Sequence, residues 1–169
     1  MSPAQPATEA PVKSILIAGI GNIFLGDDAF GVEVAQRLAR RTWPENVRAV
    51  DFGIRGIDLA FALLDGVDLT ILIDASPRGQ APGTLYLIEP ETEHISADMD
   101  AHSMNPMAVL RLVKTMGGEF RRILVVGCEP FDYAERMGLS APVEAAIEGA
   151  SAMVRELVDN ELSLIGENI

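Results

Sequence analysis

Residues 14–31, SILIAGIGNIFLGDDAFG, constrain this chain more than any other stretch. A short apolar run, Ile15-Leu16-Ile17-Ala18, turns through Gly19-Ile20-Gly21-Asn22 and reaches two adjacent carboxylates, Asp27 and Asp28. A helical pattern follows directly. A buried strand that ends in glycines and meets a helix start is the opening unit of an α/β domain. The turn invites comparison with the dinucleotide fingerprint G-x-G-x-x-G, but Phe24 stands where the third glycine belongs. Two carboxylates at that helix start would also repel a pyrophosphate. The turn geometry is therefore expected without the phosphate site. Asp27 is assigned mainly to capping the helix start, so that neutralising it should affect chemistry far less than neutralising Asp28. Gly31, inside the expected helix, costs about 1 kcal/mol relative to Ala and suggests a close backbone approach.

Alternating patterns continue along the chain. A helix is expected over 29–41, with Val32, Ala35, Leu38 and Ala39 on one face, ended by Trp43-Pro44. Strands are expected at 47–52, 69–73, 84–88 and 123–126, and shorter helices at 57–64 and 106–115. The strand at 84–88 follows a turn-rich loop with no helix, which suits an antiparallel edge. Ser140 is read as the cap of a last helix whose apolar face holds Ala145, Ala146, Gly149, Met153 and Leu157. The sum is a single three-layer α/β domain: a mostly parallel twisted sheet of about five strands with helices on both faces. Its expected extent is 13–160, between a disordered N-terminal tail, 1–12, and a C-terminal tail, 161–169. The first of these, rich in Pro and Ala, lacks the basic start and apolar core of a signal peptide.

Composition removes several classes of function. With 49% apolar residues in 169, the chain can bury a sizeable core. Its longest apolar runs fall short of the ~20 residues of a membrane helix. A formal charge of −12 argues against binding nucleic acid or an anionic membrane. The single cysteine, Cys128, forbids an intrachain disulfide or a Cys-rich zinc site. No histidine is near it in sequence, so it reads as a small buried residue rather than a nucleophile. A cytoplasmic monomer is expected.

In parallel sheets of this kind, ligands bind beyond the C-terminal ends of the strands, where the strand order reverses. If the order begins 2-1-3, Asp28 and Asp74 flank that point. Asp74 directly follows five apolar residues, where an unpaired carboxylate is costly. Asp51, ending the second strand, is either a ribose-binding acid or a turn residue before Gly53. Glu129, after the last strand, is either another wall of the cleft or a solvated loop acid, with the second preferred. His94 and His102 share the long polar loop 90–103. Two carboxylates and one imidazole would suit Zn, Ni or Fe.

The motif G-x-G-N-x-x-x-x-D-D-x-x-G resembles the nickel–iron hydrogenase maturation endopeptidases. Further matching segments are Asp51-Phe52-Gly53, Ala81-Pro82-Gly83-Thr84 and Gly127-Cys128-Glu129-Pro130. The resemblance implies an endopeptidase that removes a C-terminal extension from a hydrogenase large-subunit precursor after its nickel–iron site is loaded. It also implies that Asp28, Asp74 and His102 contact metal, with His94 in reserve. That metal would be nickel carried by the precursor, with none held tightly by the protease itself. The mechanism stays open between metal assistance and two aspartates sharing a proton. A non-catalytic alternative is a nucleotide- or metal-binding regulatory module using the same cleft.

Overall fold

The computed structural model describes residues 13–95 and 105–166. Its elements are β1 (Ile15–Ile20), α1 (Phe30–Ala39), β2 (Val47–Gly53), α2 (Gly56–Leu64), β3 (Leu69–Ala75), β4 (Leu85–Ile88), α3 (Pro106–Thr115), β5 (Arg122–Cys128) and α4 (Ala141–Gly166). Short 3-10 turns occupy Gly26–Ala29 and Thr92–His94. The sheet order is β2-β1-β3-β5-β4. All pairings are parallel except the last, in which edge strand β4 runs antiparallel to β5. This is the three-layer α/β fold expected, with the predicted 2-1-3 start and antiparallel edge.

The side-chain alternation of a strand divides the core in two. Ile15, Ile17, Ile71 and Ile73 face one way and pack with α1 and α4, through Phe30, Val34, Ile147 and Val154. Leu16, Ala18, Ile20 and Leu72 face the other way and pack with α2 and α3, through Leu59, Leu63, Val109 and Leu110. Strands β1 and β3 are buried along their whole length because helices cover both faces. Among the described residues no helix is long and apolar enough to cross a membrane.

Two helix faces differ from expectation. In α4 the fully buried stripe is Val143, Ile147, Ala150, Val154 and Val158; of the expected face Ala146, Met153 and Leu157 pack against the core half-buried, while Ala145 and Gly149 are exposed. Branched side chains bury more apolar area than Ala or Gly, so the helix turns them inward. For the same reason α1 buries Val34 and leaves Ala39 outside. Helix α4 also runs through 161–166, which the sequence pattern gives to a tail. Glu161 there is 5% exposed and pairs with Lys13 and Arg122.

Gly31 explains how β1, α1 and β3 come so close. A Cβ on it would lie 2.1 Å from the Ile73 carbonyl oxygen and 2.4 Å from that of Ile20. The first turn of α1 therefore rests on the ends of β1 and β3. Gly21 does the same one step earlier: its φ is +146°, and a Cβ would meet the Asp28 carbonyl oxygen at 1.9 Å.

Candidate active site

Both acids expected at the switch point stand there. Asp28 sits in the 3-10 turn before α1, and one of its carboxylate oxygens, Oδ2, accepts a hydrogen bond from the Asn22 N–H at 2.8 Å. Burial pushes its carboxyl above the ordinary range, partly offset by that bond. Asp74 lies near the end of β3, in register with Gly127 of β5. It is 4% exposed, and its Oδ1 has no hydrogen-bond partner. Burial first, and then the charge of Asp28, hold the Asp74 carboxyl well above its usual value; the Ala75 N–H opposes this weakly. The charge of Asp28 thus adds to burial in making Asp74 hold its proton more tightly.

Asp27 does something other than cap a helix. Neither the 3-10 turn nor α1 has a side-chain cap bond. Instead Asp27, fully buried, clasps the loop 131–140. Its Oδ1 accepts from the Ser140 N–H at 2.7 Å. Its Oδ2 accepts from the Ser140 hydroxyl at 2.8 Å, the Phe131 N–H at 2.8 Å and the Asp132 N–H at 3.3 Å. Burial alone would raise this carboxyl, but the four bonds outweigh it and hold it below the usual range. The Ser140 side chain is therefore committed to Asp27, while its carbonyl receives the Glu144 N–H of α4.

Glu129 is likewise not a solvated loop acid. It is 4% exposed and gathers three consecutive N–H groups, from Arg78 at 2.6 Å, Gly79 at 2.5 Å and Gln80 at 2.8 Å. Asp51 follows its turn reading: Oδ1 accepts from the Gly53 N–H at 2.8 Å and Oδ2 from Gln36 Nε2 at 3.1 Å. Cys128 is buried, and burial with the charges of Asp27 and Glu129 pushes its thiol up to about 12, far from a nucleophilic thiolate.

Tyr133 was not visible as a site residue from sequence. It is 41% exposed, yet its phenol is raised by burial and by the charges of Asp74, Asp28, Glu129 and Asp27. The loop fastened by Asp27 therefore brings this phenol within electrostatic reach of the acids. A lone tyrosine in a loop gives no signal of this. His102 lies outside the described residues. His94 ends the 3-10 turn after β4. Among the described residues, no three His, Cys, Asp or Glu side chains are grouped closely enough to hold a metal ion.

Residues 32–157 match the hydrogenase maturation protease family (HycI). The chain belongs to that family. It is an endopeptidase of hydrogenase maturation that processes the large-subunit precursor, which sets aside the non-catalytic regulatory module. The hydrogenase expression/formation protein HupM of Azotobacter chroococcum is 35% identical over 145 residues, spanning 83% of this chain and 69% of that protein. The structure of the hydrogenase maturating endopeptidase HybD from Escherichia coli is 28% identical with a TM-score of 0.73, over 88% of this chain and 93% of that one. A hydrogenase 2 maturation peptidase from a Thaumarchaeota archaeon is 33% identical with a TM-score of 0.69, over 87% of this chain and 99% of its own. Half-buried Asp28 and buried Asp74 are the two acids here whose carboxyls are raised.

Proposed function

We propose that this protease removes the C-terminal extension of its precursor at the strand-end crevice, using Asp28, Asp74 and His102. The observation that carries the reading is the Asp74 carboxyl, buried beside Asp28 with one oxygen unpartnered. Buried polar atoms are normally satisfied, and an orphan at a strand end invites an outside group. Two carboxylate oxygens and one imidazole are a donor set suited to nickel. Nickel already seated in the precursor is then the docking point, and the scissile peptide is placed by proximity to it. An unloaded precursor offers the same peptide without the anchor, so processing follows metal insertion.

The charge of Asp28 on Asp74 favours a second reading of the chemical step. One carboxyl keeps a proton while the other is ionised, and the ionised one activates water. The deciding experiment compares nickel-loaded with nickel-free precursor, using metal-stripped protease in both reactions, and follows the mass of the large subunit. Cleavage of the loaded form alone supports nickel recognition. Equal rates reject it and leave the two-aspartate step. Cleavage that needs zinc added to the protease makes this an ordinary metallopeptidase.

A further inference from the structure

The surface beside the crevice is unusually apolar for so acidic a chain. Phe24 is 62% exposed, Phe131 65% and Met137 68%. Phe24 precedes the turn that bears Asp28, and the other two belong to the loop that Asp27 clasps. The two segments also meet through a bridge between Leu25 and Arg136, and the Gly26 N–H donates to the Arg136 carbonyl at 3.0 Å. Between them lies an open hollow of about 400 Å³, lined by Phe24, Leu25, Glu135, Arg136 and Met137. Of the lining residues, Arg136 is tethered: its guanidinium pairs with Asp132 and lies 3.8 Å from Asp27. Exposed aromatic and Met side chains gathered on two segments that touch mark a protein contact rather than idle surface.

We infer that this hollow receives an apolar segment of the hydrogenase large-subunit precursor next to the bond being cut. The inference rests on the strand-end crevice being the active site. Three observations choose the occupant. The enzyme acts on a polypeptide, so its crevice must continue into a surface that holds chain beside the scissile bond. Leu25, which lines the hollow, stands three residues before Asp28, and the Asp28 N–H donates to its carbonyl at 3.1 Å, so one turn carries both. The protein carries a formal charge of −12, and of the two charged residues lining the hollow Arg136 is already paired with Asp132 and near Asp27, which leaves Glu135 to set the sign. An acidic segment would be repelled, so the segment is apolar and neutral or basic. The hollow thus serves selection and grip, and the acids serve the bond.

The test measures initial rates against nickel-loaded precursor concentration for the wild type and the double variant Phe24→Ser/Met137→Ser. Met116→Ser is the control: Met116 is 39% exposed at the end of α3, which leads to the start of β5 and so lies at the opposite end of the sheet. All changed side chains are exposed, and circular dichroism verifies the fold. The double variant is expected to raise KM about tenfold with kcat within about twofold of wild type, the pattern of lost uniform binding. The control is expected to match wild type. An unchanged KM, a loss confined to kcat, or an equal KM rise in the control overturns the inference. So does a wild-type dimer that the double variant dissolves, which gives the hollow to a second copy of the chain. Asp28→Asn in the same series keeps the two readings apart. Wild-type turnover in that variant refutes the acid site, whereas the hollow is judged by KM alone.

Discussion

Asp27 and Ser140, 113 residues apart in sequence, meet twice: the N–H of Ser140 reaches Oδ1 at 2.7 Å and its hydroxyl reaches Oδ2 at 2.8 Å. With the N–H groups of Phe131 and Asp132 on the same carboxylate, the end of β1 is sewn to the entrance of α4.

Asp27→Asn is therefore expected to be damaging, against the capping role the sequence suggests. Both oxygens accept, and an amide NH2 in place of either would face a donor. The expected loss is about 2 kcal/mol of unfolding free energy, the usual cost of a buried donor left unmade. Urea denaturation gives the value. An unchanged midpoint would show that the clasp contributes nothing. Because the folded carboxyl is held below its unfolded value, its contribution is present above about pH 4 and lost as the pH falls through the folded pKa. The difference in midpoint between wild type and Asp27→Asn should narrow in acid.

Asp74→Asn should have the opposite sign for stability. The folded carboxyl titrates well above the unfolded one, so between the two values the unfolded chain binds fewer protons. Stability then declines as the pH rises through that window. The neutral amide removes the decline, and the variant should be more stable than wild type at neutral pH. Its cleavage of precursor should fall at least about a hundredfold, the usual worth of a positioned acid or base. Thermal melts across pH together with precursor cleavage decide both halves.

His102→Ala is expected to impair cleavage, and His94→Ala is expected to leave it near wild type. Mass measurement of the large subunit after incubation with each variant is sufficient. The reverse result would move the site histidine to the other end of the loop.

Gly31→Ala tests the contact that places Asp28 beside Asp74. The new methyl group would press on the carbonyl oxygens of Ile73 and Ile20, which belong to the central strands and cannot swing aside. The expected cost is about 3 kcal/mol, at the upper end for overpacking. A surviving folded fraction should cleave slowly, since α1 can yield only by carrying Asp28 away from β3. A variant of wild-type stability and rate would show that the turn can shift freely.

The fold was readable because its signals are local. A strand buried on both faces is an uninterrupted apolar run, and the helices between strands announce themselves by period and by breakers such as Trp43-Pro44. Asp74 was readable for a related reason, since it stands where an apolar run stops, whereas Asp28 was picked out as the second acid of the pair after the glycine turn. Asp27 and Glu129 were misread because their partners are backbone N–H groups of distant loops, and a backbone amide leaves no trace in the residue names. Tyr133 went unseen because a loop residue reaches a site only through whatever fastens the loop. The inward face of α4 is broader than one apolar stripe: Val143, Ile147, Val154 and Val158 form its centre and Met153 and Leu157 its flank, so the periodicity gives the flank as readily as the centre.

The N–H groups of residues 78–80 close around Glu129. Three successive amides turned inward are a ready seat for an anion. Here the chain supplies the anion itself, and the acids at the head of α1 deny the other seat common to sheets of this layout. The loop after β3 is thereby tied to the end of β5 by one buried carboxylate, and a neutral residue at 129 would leave three amides with nothing to hold.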